Sequence, residues 1–272
     1  MKQGSHANWE SAAGKWQHRP PITPDPDDIA WFERTTRVPG AGPRALLLGV
    51  TAGIATMGWP AGSELLAIDW SAGMIDKAWP RAGLPPAATV VQADWMAMPL
   101  PARSRDIALG DGCYTALGSL DQVVALNRAV SRVLEPGGVL ALRCFARGTT
   151  RASVDEIFAA VLAGREKNLG LVRWQLMMAL QGDDTEGVVL DDLWRLWHER
   201  IPDPAALIEQ HGWYPHEVAN IERYAGQQAR YVYPTVAEME AAAAPDFALV
   251  ECDVPTYRGG EHFPRLRFVK RA

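Results

Sequence analysis

An α/β doubly wound sheet is the fold class that this sequence predicts, on three observations. Five short apolar runs follow one another between residues 44 and 142, and the first four lead into Gly or Asp: Ala45-Leu46-Leu47-Leu48 to Gly49, Leu65-Leu66-Ala67-Ile68 to Asp69, Thr89-Val90-Val91 to Asp94, and Asp106-Ile107-Ala108-Leu109 to Asp111. The runs are continuous rather than alternating, which suits strands buried on both faces of a parallel sheet. The segments between them are long enough for crossover helices, and residues 121–134 place Val123, Leu126, Val130 and Val133 on one helical side.

Each region follows from its own pattern. Residues 1–43 are polar and Pro-rich, with Trp9, Ala12, Ala13 and Trp16 at helical spacing ahead of a Pro-rich linker at 19–28. Residues 44–150 form the α/β core, whose fifth run, Val139-Leu140-Ala141-Leu142, follows Glu135-Pro136-Gly137-Gly138. Residues 151–243 change character. Ser153 and Glu156 make a capping box ahead of Ile157, Phe158, Val161 and Leu162 at helical spacing, and Thr235 and Glu238 make a second one. This region reads as a mostly helical insertion, with Leu193, Trp194, Trp197 and Ile201 on a face expected to pack it onto the sheet. Residues 244–272 hold two more strands, 247–254 and 265–269, across a Gly259-Gly260 turn.

Composition narrows the function classes. Of 272 residues, 48% are hydrophobic and 22% charged, the balance of a globular protein. The 27 Lys and Arg against 32 Asp and Glu leave a net charge of -5, which gives no electrostatic reason to expect nucleic acid. Cys113, Cys144 and Cys252 are widely spaced and form no CxxC, so a disulfide framework and a tetrahedral zinc site are both excluded and a cytoplasmic setting is expected. The uncharged stretch 45–63 carries four glycines, Pro60 and two threonines, and reads as strand and turn rather than a membrane helix. The sequence holds no signal for an oligomeric state.

Ligands of a doubly wound sheet bind beyond the carboxyl ends of its strands, so the strand-end residues carry the functional reading. Gly49-Val50-Thr51-Ala52-Gly53 is a loop of small residues through which backbone N–H groups approach a ligand closely, but it is not GxGxxG. Asp69 is placed to accept from both hydroxyls of an adenosine ribose, Asp94 to accept from an adenine amino group, and Asp111 stands beside the crevice. Three successive strand ends bearing Asp outweigh the ordinary use of Asp as a turn or cap residue.

The segment 44–145 resembles the class I S-adenosylmethionine-dependent methyltransferases. Leu47 to Gly53 occupy the place of that family's first motif, Ile68-Asp69-Trp70-Ser71-Ala72-Gly73-Met74 its acidic second-strand motif and following helix, Gln92-Ala93-Asp94-Trp95 its adenine-contacting motif, and Val133 to Leu140 its turn into the fifth strand. The resemblance implies a seven-stranded, mostly parallel sheet with the seventh strand antiparallel between fifth and sixth, and a lid or substrate element in the insertion between strands five and six. It also implies S-adenosylmethionine as cofactor, S-adenosylhomocysteine as product, and Gly49, Thr51, Gly53, Asp69, Trp70, Met74, Asp94, Trp95 and Asp111 as the cofactor site. Two positions depart from the family: Leu47 stands where an acid is usual and Thr51 where a glycine is usual. The cofactor ammonium would then fall to Asp111, a backbone carbonyl near Gly49, or a side chain of the N-terminal helix.

The implied activity is methyl transfer to a small-molecule acceptor by in-line displacement, with a base only where the acceptor must lose a proton. Trp70 and Trp95 each follow a strand-end Asp and are placed to flank the adenine ring. Within the insertion, His198, His211, His216, Arg230, Tyr231 and Tyr233 form the pool of further polar groups; Asp111, His198 and Tyr233 are the candidate bases, and no cluster has metal-ligand spacing. Two other readings stay open: a non-catalytic S-adenosylmethionine-binding protein, and a nicotinamide-dependent oxidoreductase, which would explain Asp69 but not the missing GxGxxG.

Overall fold

The computed structural model describes residues 20–37, 42–166 and 168–272. The helix expected around Trp9 and Trp16 lies outside them. Seven strands form one sheet in the order β3-β2-β1-β4-β5-β9-β8: β1 (Arg44–Leu48), β2 (Glu64–Asp69), β3 (Ala87–Gln92), β4 (Arg105–Asp111), β5 (Leu134–Arg143), β8 (Phe247–Asp253) and β9 (Arg265–Lys270). The first five are parallel, and β9 runs antiparallel between β5 and β8. This is the doubly wound, Rossmann-like methyltransferase topology.

Alternation of side chains along each strand sends successive residues to opposite layers. Ala45, Leu47, Leu65, Ala67, Ile107 and Leu109 pack under Trp31 and Phe32 of α1 (Pro26–Thr35) and Ile54 of α2 (Ala52–Ala55). Leu46, Leu48, Leu66, Ile68, Ala108 and Leu140 face the other way, against Val123, Leu126 and Val130 of α4 (Leu120–Val133) and Met239 of α10 (Val236–Ala243). A strand apolar at every position is therefore covered twice. The stretch 45–63 resolves into β1, its turn and α2, and among the described residues no helix is long and apolar enough to cross a membrane.

Several expectations need correction. β3 is an edge strand whose Thr89 and Val91 are exposed, so only one of its faces is covered. β5 starts at Leu134, so Glu135 to Gly138 lie within the strand as a local irregularity opposite Arg105 and Ile107, with Gly137 at φ +74°. The Pro-rich lead-in contains α1: Asp25 caps it, Pro26 opens it, and Asp28 accepts the backbone N–H of Asp25 at 2.9 Å. Between β5 and β8 lie α5 (Val154–Leu162), α6 (Leu169–Gln181), α7 (Leu190–Arg200), α8 (Pro204–His211) and α9 (Pro215–Glu222), with a small ladder of β6 (Val188–Val189) and β7 (Arg230–Tyr231). Trp197 packs against Phe158 and Trp213 inside this segment's own core rather than on the sheet, and Trp194 packs on His198.

Cys113 and Cys144 are buried and Cys252 is exposed. Burial and the neighbouring Asp111 push the Cys113 thiol up to about 12, and burial also raises Cys144. At about pH 8 a thiol reagent should modify Cys252 alone in the folded protein and all three cysteines after denaturation. Prompt reaction of Cys113 in the native state would contradict this packing.

Candidate functional site

The strand order places β1 and β4 side by side at the topological switch, where a crevice opens beyond their carboxyl ends. A cavity of about 860 Å³ occupies it, toward the upper end of the roughly 300–1,000 Å³ range of small-molecule sites. Its floor is Gly49, Asp69, Asp94 and Asp111. Residues 22–24 before α1 close one side, and the segment between β5 and β8 contributes Arg173, Trp174, Arg223 and Tyr231.

Gly49 leaves β1 at φ +95°, a conformation that L side chains avoid, and its N–H donates to the Ile68 carbonyl at 2.8 Å. A Cβ on Gly49 would stand 3.7 Å from both Asp69 Oδ2 and the Trp95 ring, so the absent side chain leaves a notch between them. Thr51 opens α2 without a side-chain cap bond, and Gly53 follows beneath Ile29 of α1. The Asp69 carboxylate is held at the strand end, its Oδ1 accepting the Ser71 N–H at 2.8 Å. Ser71 in turn caps α3 (Ala72–Ala78), accepting from the N–H of Met74, which is buried along the cavity. Asp94 caps a single 3₁₀ turn, its Oδ1 accepting the Met96 N–H at 2.8 Å. Asp69 and Asp94 thus each hold the local turn through Oδ1, and both line the cavity.

Trp95 donates its indole N–H to the Ile68 carbonyl at 2.7 Å, and Trp70 is 43% exposed at the mouth. Both line the cavity. If they border a bound nucleoside, S-adenosylhomocysteine should change intrinsic fluorescence saturably, and Trp95→Phe should reduce that amplitude. Unchanged amplitudes in both Trp70→Phe and Trp95→Phe would make the two indoles structural only.

Asp111 pairs with Arg143 Nη1 at 2.7 Å. Burial pushes its carboxyl above the usual carboxylate range, and Arg143 draws it back. Arg143 is fully buried; its Nε lies 2.9 Å from Asp28 Oδ2, its Nη2 donates to the Pro21 carbonyl, and its guanidinium carbon sits 4.6 Å from the Phe263 ring centroid. Asp28 also accepts the Tyr257 hydroxyl at 2.9 Å. The chain Asp111–Arg143–Asp28 therefore fastens α1, and the 22–24 wall before it, to the strand ends.

The candidate bases do not gather. Asp111 lines the cavity, whereas His198 and Tyr233 do not. His198 sits at the end of α7 against Glu222 at 3.1 Å. Tyr233 is fully buried and burial raises its hydroxyl pKa well above the ordinary range. His211 and His216 are likewise away from the cavity lining, while Arg230 and Tyr231 belong to it. Among the described residues no group of His, Cys, Asp or Glu is placed to hold a metal ion.

Sequence reasoning missed Arg143, Arg173, Trp174 and Arg223. A lone Arg closing the buried run Leu140-Ala141-Leu142, and a lone Arg in the otherwise uncharged helix LGLVRWQLMMALQ, were signals that could have found the first two. Nothing local marks Arg223.

Residues 46–142 match the methyltransferase-domain family. The chain carries a methyltransferase domain. The matched residues run from β1 to the end of the apolar part of β5 and contain Gly49, Asp69, Asp94 and Asp111 of the cavity floor. That match sets aside the nicotinamide reading. No curated protein sequence matches the methyltransferase.

Its fold is shared with solved structures of low sequence identity. The methyltransferase is similar to a proposed Zn-dependent alcohol dehydrogenase from Rhodobacter sphaeroides at 11% identity and TM-score 0.60, over 100% of both chains. It is similar to the CcbJ methyltransferase from Streptomyces caelestis at 17% identity and TM-score 0.54, again over 100% of both chains. A third is the 1,6-didemethyltoxoflavin-N1-methyltransferase from Burkholderia thailandensis, solved with 1,6-didemethyltoxoflavin and S-adenosylhomocysteine, at 12% identity and TM-score 0.54 over 98% of this chain and 87% of that one. At these identities the likeness is one of fold.

Proposed function

We propose that the methyltransferase acts on a small-molecule acceptor taken into the cavity between the strand ends and the helical segment that follows β5. The observation that carries this is the cavity itself, which is large enough for a cofactor and a second small molecule and is walled by both parts of the chain. When bound, S-adenosylmethionine supplies a methyl group already activated by its sulfonium.

The chain's own residues bind and align. Asp69 accepts from the ribose hydroxyls, Asp94 from the adenine amino group, and the positive-φ turn at Gly49 brings backbone N–H groups to the cofactor's amino-acid end. Trp70 and Trp95 supply apolar faces for the base. Asp111 stands with one oxygen on Arg143 at the crevice, where its charge suits the cofactor's ammonium in place of the first-motif acid that Leu47 lacks. With the reacting groups held together, proximity and alignment are the protein's main contribution.

Two measurements test this. Calorimetric titration should give saturable binding of S-adenosylhomocysteine and none of NADH. Methyl-labelled cofactor with a cell extract should place the label in the dialysable fraction. Label retained wholly in protein or nucleic acid would reject the small-molecule acceptor, and tight cofactor binding without any transfer would favour a non-catalytic binding protein.

A further inference from the structure

The wall of the cavity contributed by α6 and the residues after α9 holds positive charge with no carboxylate partner among the described residues. Arg173 is 2% exposed, in a helix with no other charged residue. Its guanidinium carbon stands 5.0 Å from the Trp174 ring centroid and 5.8 Å from that of Tyr224, and among the described residues neither it nor Arg223 has a carboxylate partner. Arg223 is half-buried, and burial together with the charge of Arg173 lowers its pKa. Arg173 Nε, Arg223 Nε and Nη1, and Trp174 Nε1 are all buried N–H groups with no acceptor among the described residues.

The type of these groups identifies what they lack. Arginine and the tryptophan indole donate and never accept, so a ligand that pairs with this wall must bring acceptors, and a charged oxyanion brings the strongest. Faces of Trp174 and Tyr224 offset part of the cost of burying the charge, but a buried cation without an anionic partner leaves much of its desolvation uncompensated. The same cavity carries Asp69, Asp94 and Asp111 on the strand ends. One cavity thus presents carboxylates on the sheet and, on the wall from the segment between β5 and β8, Glu186 together with two guanidinium groups that have no carboxylate partner among the described residues.

We propose that Arg173 and Arg223 bind an oxyanion of the acceptor, a carboxylate or phosphate group, so that the substrate of this methyltransferase is an anionic small molecule. The proposal rests on the small-molecule reading above. A planar guanidinium matches either oxyanion bidentately, which fixes the acceptor's orientation as well as its affinity. The aromatic rings beside Arg173 suit an acceptor with an apolar or aromatic body.

Calorimetry with benzoate, inorganic phosphate and the neutral benzyl alcohol tests the site, with and without saturating S-adenosylhomocysteine. At least one of the two anions should bind at least about tenfold more tightly than benzyl alcohol. Arg223→Gln should weaken that binding at least about tenfold while leaving S-adenosylhomocysteine within about threefold of wild type. Arg173→Met should do the same, with thermal melts as a folding control, and half-buried Arg223 keeps the test valid if Arg173→Met does not fold. Equal binding of anions and benzyl alcohol, or anion binding untouched by Arg223→Gln, overturns the proposal. So does loss of S-adenosylhomocysteine but not of 5′-methylthioadenosine in Arg223→Gln, because the arginine would then hold the cofactor's own carboxylate. Anion binding that tracks the arginines in a protein that ignores S-adenosylhomocysteine would uphold the anion site and count against the cofactor assignment instead.

Discussion

Arg143→Met should destabilise the protein by about 3–5 kcal/mol, the range for removing one partner of a buried ion pair. The substitution keeps much of the side chain's volume and removes its charge, leaving Asp111 and Asp28 without the cation between them. Burial works against the charge on Arg143, but Asp111 and Asp28 more than offset it, so the native guanidinium is protonated. Arg265 lies 3.4 Å from Asp28 and recovers part of the loss on that side; it has no such contact with Asp111. At about 2–4 °C per kcal/mol for a chain near this size, the melting temperature should fall by roughly 6–20 °C. Arg143→Lys should lose less, since it keeps the charge but not the fork. Urea denaturation of the three proteins checks this, and an Arg143→Met protein within about 1 kcal/mol of wild type would mean that the network contributes little. The same variant should weaken S-adenosylhomocysteine binding, because α1 and the 22–24 wall are fastened through Arg143.

Asp69→Ala should weaken S-adenosylhomocysteine on the order of 30- to 1000-fold, a loss of about 2–4 kcal/mol. Two charge-assisted hydrogen bonds to ribose hydroxyls would be lost, each worth roughly 1.5–3 kcal/mol where desolvated, and water entering the gap recovers part. Asp69 also accepts the Ser71 N–H, so the alanine variant should lose about 1 kcal/mol of stability as well. Asp69→Asn separates the two roles, because its oxygen still accepts from Ser71 while the charge is gone. Calorimetric titration alongside thermal melts decides the matter. An Asp69→Ala protein that stays folded and binds within about threefold of wild type would remove Asp69 from the ribose site.

The sheet was legible in the sequence because strand burial and strand-end turns are local signals. Leu46 and Leu47 point to opposite layers, and a run apolar at both positions already states that both layers are covered. Gly49, Asp69, Asp94 and Asp111 were found for the same reason: each ends an apolar run, and one topology brings all such ends to one edge. Edge strand β3 read as buried because its Thr89-Val90-Val91 is apolar enough for the interior, and its place at the sheet's margin depends on strand order.

Long-range pairing was not legible. His198 and Tyr233 are residue types that catalysis uses, but one is turned to Glu222 and the other is sealed in the core, and neither outcome has a local cause. Asp28 reads as a helix-start residue until β5 brings Arg143 beneath it. Arg173 and Arg223 stand on separate segments, and only the packing of α6 against the residues after α9 puts two guanidinium groups into one cavity. A chain's local pattern states which residues must be buried or must turn, because those needs act within a few residues. Which charges meet depends on contacts between distant segments, and packing alone sets them.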